Sequence, residues 1–241
     1  MADKVKIQNL DVLFSGEAGE VQALENINFE VREGEFLMIL GPSGCGKSTL
    51  IRTIAGFQKP KNGKILLDGK QVRDPGPDRI MVFQEFDQLF PWRTVQGNVE
   101  YALKVKGVPK EKRRTDTRKF LEMVNLQDFA KAFPHQLSGG MKQRAAIARS
   151  LAINPGILLM DEPFGSLDAQ TRAVLQAELV RIWQKVGSTI IFITHNIQEA
   201  ILLGDRVMVM AGDPGRVKDI VPVNIPRPRL PETPEFMALW Q

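Results

Sequence analysis

Gly41-Pro42-Ser43-Gly44-Cys45-Gly46-Lys47-Ser48-Thr49 follows directly on the apolar run Phe36-Leu37-Met38-Ile39-Leu40, and that junction decides the fold. It is a complete G-x-x-x-x-G-K-[ST] loop placed after a buried strand and before a helix, the context the motif requires. Polyphosphate binding needs backbone amides to converge on anionic oxygens, and side chains would obstruct that approach, hence glycine at 41, 44 and 46. Gly41, Ser43, Gly44, Cys45 and Gly46 form the expected cradle, and a helix starting near Lys47 adds the positive end of its dipole. Lys47 is expected to neutralise the β- and γ-phosphates, the Ser48 hydroxyl to ligate Mg2+, and Thr49 to reach an inner phosphate. Any small residue fits at position 45, so Cys45 needs no redox role.

Around this loop the apolar period changes several times. Ile27, Phe29 and Val31 alternate as in a half-buried strand, while Ile65-Leu66-Leu67 and Ile80-Met81-Val82-Phe83 flank an Asp68-Gly69 turn signal. From Thr94, a good N-cap, to about Asn125 the spacing becomes helical. Strand and helix then alternate: Ile157 to Met160, a helix from about Ala169 to Val186 stopped by Gly187, Ile190 to Ile193, a short helix closed by Gly204, and Val207 to Met210. Such alternation predicts an α/β fold with a parallel sheet and helices on both faces. Pro222 to Pro234 carries five prolines and reads as an extended tail. The expected organisation is one domain: a β-rich and phosphate-loop core over about 1–85 and 155–221, a helical lobe over about 86–154, and the tail 222–241.

With 241 residues, 43% hydrophobic and 25% charged, the chain can bury a sizeable core. Its apolar runs are strand-length and fall far short of the roughly 20 residues that span a bilayer. Met1-Ala2-Asp3-Lys4 shows no apolar segment of a secretory signal and Cys45 is the only cysteine, so a reducing, cytosolic location is expected. A net charge of +4 is too small to imply nucleic acid. The positive charge concentrates between Lys104 and Lys119 with almost no aromatics to stack on bases, which reads as a solvated helix face or as a face near anionic lipid headgroups.

A second chemical signal is Ile157-Leu158-Leu159-Met160-Asp161-Glu162, an apolar strand ending in two carboxylates. Beside the phosphate loop, such an end can place Asp161 on the magnesium shell and Glu162 on an attacking water. A third is Leu137-Ser138-Gly139-Gly140-Met141 ahead of the basic helix Lys142 to Arg149. One ATP does not need two glycine-rich helix starts from the same chain, which suggests that the second serves another molecule's ATP. With these residues the chain resembles the ATP-binding-cassette family, whose signature is Leu-Ser-Gly-Gly-Gln followed by a basic helix, and the likeness extends over nearly the whole chain. Gln84 after Ile80 to Phe83 matches the Q-loop, Ser166-Leu167-Asp168 the D-loop, and His195 the H-loop.

The resemblance implies a P-loop ATPase core with an N-terminal antiparallel β lobe and an inserted α-helical lobe. It implies catalysis by Glu162, His195, Gln84 and Lys47, with Ser48, Gln84 and Asp161 around Mg2+. ATP is expected between the phosphate loop of one subunit and Ser138, Gly139 and Gly140 of a second, identical or closely related one, with Asp168 also among its contacts. His195 is expected to bond the γ-phosphate. Phe14 falls where the family places an aromatic ring under adenine, and reads equally as a buried strand residue. The partners implied are separate transmembrane permease subunits and, through them, a solute-binding protein, the chain lying on the cytoplasmic face of the membrane. The segment Gln84 to Trp92, holding Phe86, Phe90 and Trp92, reads either as packing in the helical lobe or as a groove for a permease helix.

Met141 replaces the signature glutamine and Asn196 the aspartate usual after the H-loop histidine. The run Phe133 to Met141, the run Asp161 to Arg172, Leu175-Gln176, Pro91-Trp92 and Pro214-Gly215-Arg216 look like the nitrate, sulfonate and taurine importer subgroup. A nucleic-acid ATPase with the same head would carry a long insertion between the phosphate loop and the signature, and only about 90 residues separate Lys47 from Ser138. A ribosome-type relative would hold two cassettes, and this chain holds one.

Overall fold

The computed structural model describes residues 3–16 and 19–240, apart from the side chain of Phe86, so the sequence reading of that ring lies outside the described residues. In chain order, β1 (Asp3–Gly16) pairs antiparallel with β2 (Gly19–Arg32), Val5 facing Val31, Ile7 facing Phe29 and Leu10 facing Ile27. The alternating residues thereby line one buried face. The strand β3 (Phe36–Leu40) leads into α1 (Lys47–Ala55), followed by β4 (Asn62–Leu67), β5 (Lys70–Gln71) and β6 (Arg79–Val82). Asp68 and Gly69, both left-handed, join β4 to the short β5, where the sequence placed Ile80 to Phe83 across the turn. Two central residues at positive φ are what a tight hairpin turn demands, and Lys70-Gln71 is long enough to close it.

The helices α2 (Val95–Val105) and α3 (Lys110–Met123) stand where the sequence showed one helical stretch from 94 to 125. The apolar spacing runs on through Gly107-Val108-Pro109, but Gly107 turns left-handed and Pro109 cannot continue a helix, so the chain breaks there. Next come α4 (Gly139–Ala152), β7 (Ile157–Asp161), α5 (Ala169–Val186), β8 (Thr189–Thr194), α6 (Ile197–Leu203), β9 (Arg206–Ala211), β10 (Arg216–Pro222) and α7 (Pro234–Trp240).

The described chain forms two compact units. One comprises the residues up to Gly76, Leu159–Glu162 and those from Ser188 onward; the other Pro77–Leu158 and Pro163–Gly187. In the first, an antiparallel sheet runs β2-β1-β4-β5, and a second sheet orders β10-β9-β3-β8-β7. Here β3 is parallel to both β8 and β9, whose continuous apolar runs suit burial on both faces, and β10 adds an antiparallel edge. The tail read as extended is docked: α7 buries Phe236 completely and Arg229 is 6% exposed. The second unit holds β6, the start of β7, where the Ile157 N–H donates to the Asp78 carbonyl, and α2 to α5.

Candidate functional site

In the first unit β3 delivers the phosphate loop to the start of α1. Gly46 has φ 87°, and a Cβ there would lie 2.6 Å from Leu24 Cδ2 and 2.9 Å from the Ala23 carbonyl, so only glycine fits. Lys47 is buried and its ammonium donates to the Gly41 and Pro42 carbonyls at 2.8 Å each. The lysine is thus folded over the loop's own oxygens, where stronger anionic acceptors would replace them. The Ser48 hydroxyl donates to Asp161 Oδ1 at 2.9 Å.

Asp161 ends a strand buried along its whole length, and desolvation pushes its carboxyl pKa up, against the Ser48 hydrogen bond and the charges of Arg52 and Lys47. A bound cation would relieve that burial. A cation beside Ser48 and Asp161 would complete its shell with waters and with oxygens of an anionic substrate. The loop, the lysine and this hydroxyl–carboxylate pair fit a polyphosphate carrying Mg2+.

Glu162 follows with φ 44°, a left-handed backbone that costs a non-glycine residue roughly 1 kcal/mol. Its N–H donates to the Ile193 carbonyl at 3.2 Å, and its Oε2 lies 2.9 Å from His195 Nδ1. The histidine stands just past β8, its side chain 60% exposed. Five predicted residues, Lys47, Ser48, Asp161, Glu162 and His195, therefore belong to one unit and make two mutual contacts. Phe14, on β1 opposite Val21, is 44% exposed and so is not the buried strand residue that the sequence also allowed. Cys45 is buried.

The second unit carries the other predicted residues. Ser138 caps α4, its Oγ accepting from the Met141 N–H at 3.4 Å. A Cβ at Gly140 would meet Thr171 Cγ2 at 2.7 Å, so glycine lets the first turn of α4 close against α5. Asp168 caps α5, and the Thr171 N–H on its carboxylate holds its pKa below the ordinary range. Gln84 is exposed after β6.

The loop beyond Gln84 is organised by residues the motif reading missed. Gln88 accepts from the Phe83 N–H and donates to the carbonyls of Phe83 and Glu85. Asn98, fully buried on the apolar stripe of α2, accepts from Phe90 N–H and donates to the carbonyls of Phe90, Arg93 and Thr94. A polar residue among Val95, Val99, Ala102 and Leu103 was the signal for it. Arg149 donates to the Gln88 carbonyl at 2.7 Å with its guanidinium 5.4 Å over the Phe90 ring. Phe90 meets Tyr101 edge-on at 5.0 Å and Trp92 at 5.5 Å. Together they border an open groove of about 320 Å³, lined by Ile80, Gln88, Phe90, Tyr101, Val105 and Arg149, and Trp92 beside it is 71% exposed.

Residues 24–165 match the family model described as ABC transporter. The chain is 47% identical to a nitrate import ATP-binding protein of Synechocystis over 92% of its own length and 83% of that protein's. It is 50% identical to a taurine import ATP-binding protein of Rhizobium johnstonii, over 88% and 81%. Among solved structures, a dimeric ATP-binding cassette in a post-hydrolysis state with ADP and phosphate is similar, with a TM-score of 0.80 at 35% identity, covering 92% of this chain and 99% of that one.

Proposed function

This chain belongs to the ABC transporter family as an ATP-binding, ATP-hydrolysing cassette, and from that premise we propose that it drives import of a small oxyanion of the nitrate, sulfonate or taurine kind through separate permease subunits. The observation that carries the hydrolytic part of the reading is the pair of contacts Ser48–Asp161 and Glu162–His195 beside the phosphate loop, each spanning 2.9 Å, and the likeness to nitrate and taurine import ATP-binding proteins carries the transport part. ATP brings the anhydride bond, and Mg2+ the charge that offsets its phosphates. Lys47 exchanges its two carbonyl partners for phosphate oxygens. Ser48 and Asp161 would turn their oxygens to the cation. Glu162 takes the proton of the attacking water, and His195, held by Glu162, faces the γ-phosphate. Ser138, Gly139 and Gly140 cover the γ-phosphate of a second subunit, a homodimer partner or close paralogue, with Asp168 nearby. Phe14 offers its exposed ring to the adenine.

Among the described residues no helix is long and apolar enough to cross a membrane. By likeness to the import ATP-binding proteins the cassette would sit peripherally on the cytoplasmic face, with the groove beside Trp92 receiving a permease helix and a solute-binding protein supplying the anion to the permease. The test is to purify the chain alone and with a permease of the nitrate, sulfonate or taurine importer kind from the same genome, reconstitute the complex, and measure Mg2+-ATP hydrolysis with and without anion-loaded binding protein. Stimulation by the reconstituted permease supports the reading. Stimulation by ribosomes or DNA instead would replace it with the soluble alternative.

A further inference from the structure

The C-terminal segment makes a set of contacts that the ATPase reading leaves unused. Arg229 is almost fully buried, and its five hydrogen bonds all go to main-chain carbonyls: Ile201 at 2.6 Å, Leu202 at 3.4 Å, Gly204 at 2.6 Å, Val223 at 3.1 Å and Ile225 at 2.8 Å. Three of these belong to the C-terminal end of α6 and its stop. Arg227 adds the Leu203 carbonyl and Asp205 Oδ1, the latter at 2.7 Å, while Asp205 Oδ2 accepts from the Phe36 N–H at the root of β3. α7 packs against α6, and its Phe236 is fully buried.

α6 has seven residues, too few to hold itself together; the Gly204 N–H reaches the Ala200 carbonyl, and the carbonyls of Ile201, Leu202 and Leu203 are left without helical partners. Two cations at that end satisfy the carbonyls and oppose the negative end of the dipole. At its other end α6 is capped by Asn196, whose Oδ1 accepts from the Glu199 N–H at 3.0 Å and whose own N–H donates to Thr194 Oγ1. The residue between Thr194 and that cap is His195. Whatever sets the axis of α6 sets where the imidazole stands against Glu162.

We propose that Arg229, supported by Arg227, is a positioning residue for hydrolysis, and that the segment 223–240 is a strap that clamps α6 and thereby holds His195 in register with Glu162. The proposal rests on the reading of His195 given above.

The chain contains two histidines. In a His135→Gln background the remaining imidazole resonance therefore reports His195 alone. In full-length protein Arg229→Gln should move and broaden that resonance, cut ATP turnover roughly 10-fold, and leave ATP affinity within about twofold, because the phosphate loop is untouched. Arg229→Lys should fall between, since an ammonium has too few donors for five carbonyls. In a His195→Ala background Arg229→Gln should cost nothing further, the mark of two residues acting as one unit. An unmoved resonance, or a full additional loss in the His195→Ala background, overturns the proposal. Should Arg229→Gln fail to fold, Arg227→Gln puts the same question through Leu203 and Asp205. If His195→Ala by itself turned over normally, the role of His195 would fall, and the resonance would still show separately whether the strap sets that side chain.

Discussion

Glu162 Oε2 and His195 Nδ1 stand 2.9 Å apart at the ends of the neighbouring strands β7 and β8, with the Glu162 N–H bonded to the Ile193 carbonyl. The carboxylate is thus fixed from both its backbone and its side chain. Glu162→Gln keeps the shape and loses the basicity. It should bind ATP normally and hydrolyse it about 10²-fold or more slowly. Phosphate release within threefold of wild type would take the role of base away from Glu162.

Lys47 and Ser138 are expected to fail differently. Lys47→Ala removes the ammonium that replaces two carbonyl contacts with phosphate contacts, and monomer ATP binding should drop by about 10²-fold. Ser138→Arg leaves that loop intact, so monomer affinity should hold while ATP-driven dimers, trapped in a Glu162→Gln background, disappear from a sizing column. Persistent dimers, or a monomer binding loss as large as that of Lys47→Ala, would mean that the signature acts within its own chain.

Asp161 links stability to pH. Burial raises its carboxyl above the ordinary 3.8, so the folded state favours the neutral form. The stability that proton gives is full below the unfolded value and is lost as the pH climbs through the raised folded value. At neutral pH the ion is a burden. Asp161→Asn should therefore raise the nucleotide-free Tm at pH 7 by ~2–4 °C, the scale of about 1 kcal/mol in a chain of this length, while Mg2+-dependent turnover is lost. Calorimetry across pH checks the sign: the gain should shrink towards pH 3.8.

Trp92 is exposed and Asn98 buried, so they separate coupling from folding. Trp92→Ala should leave ATPase of the isolated subunit within about twofold and abolish its stimulation by the permease. Equal loss of both would return the tryptophan to a packing role.

Asn98→Ala removes one acceptor and three donor contacts to the loop Phe90–Thr94 and strands their backbone groups in the interior. A destabilisation of about 2–4 kcal/mol in urea is expected. Asn98→Asp keeps the acceptor and loses the donors, and should be no better.

The parts of this fold that were legible beforehand are those set by local chemistry. β3 and α5 begin and end where an apolar run, helical spacing and a stop at Gly187 put them. Lys47, Ser48, Asp161 and Glu162 could be named because phosphate chemistry fixes residue type and spacing together, whereas His195 could be named only through the resemblance to the ATP-binding-cassette family. Gln88 and Asn98 could not, since each satisfies backbone groups of a loop whose course the sequence does not display. The tail misled for a related reason. Five prolines exclude regular structure locally, but Arg229 finds its carbonyls some 25 residues away, a separation no periodicity encodes. The break between α2 and α3 was written in Gly107 and Pro109 and masked by apolar spacing that continues across it.

Among the described residues, the non-glycine positions at positive φ are Asn9, Asn26, Asp68, Asn125, Asn154 and Glu162. Five are the residue types whose short polar side chains tolerate that region, and the sixth is not. A long, flexible carboxylate has no conformational reason to sit there, so an unlabelled backbone would have pointed to position 162 without any motif. Selection for thermal endurance alone, blind to turnover, should drift this site towards glycine or asparagine. That glutamate stands there anyway marks where the molecule's history favoured work over rest.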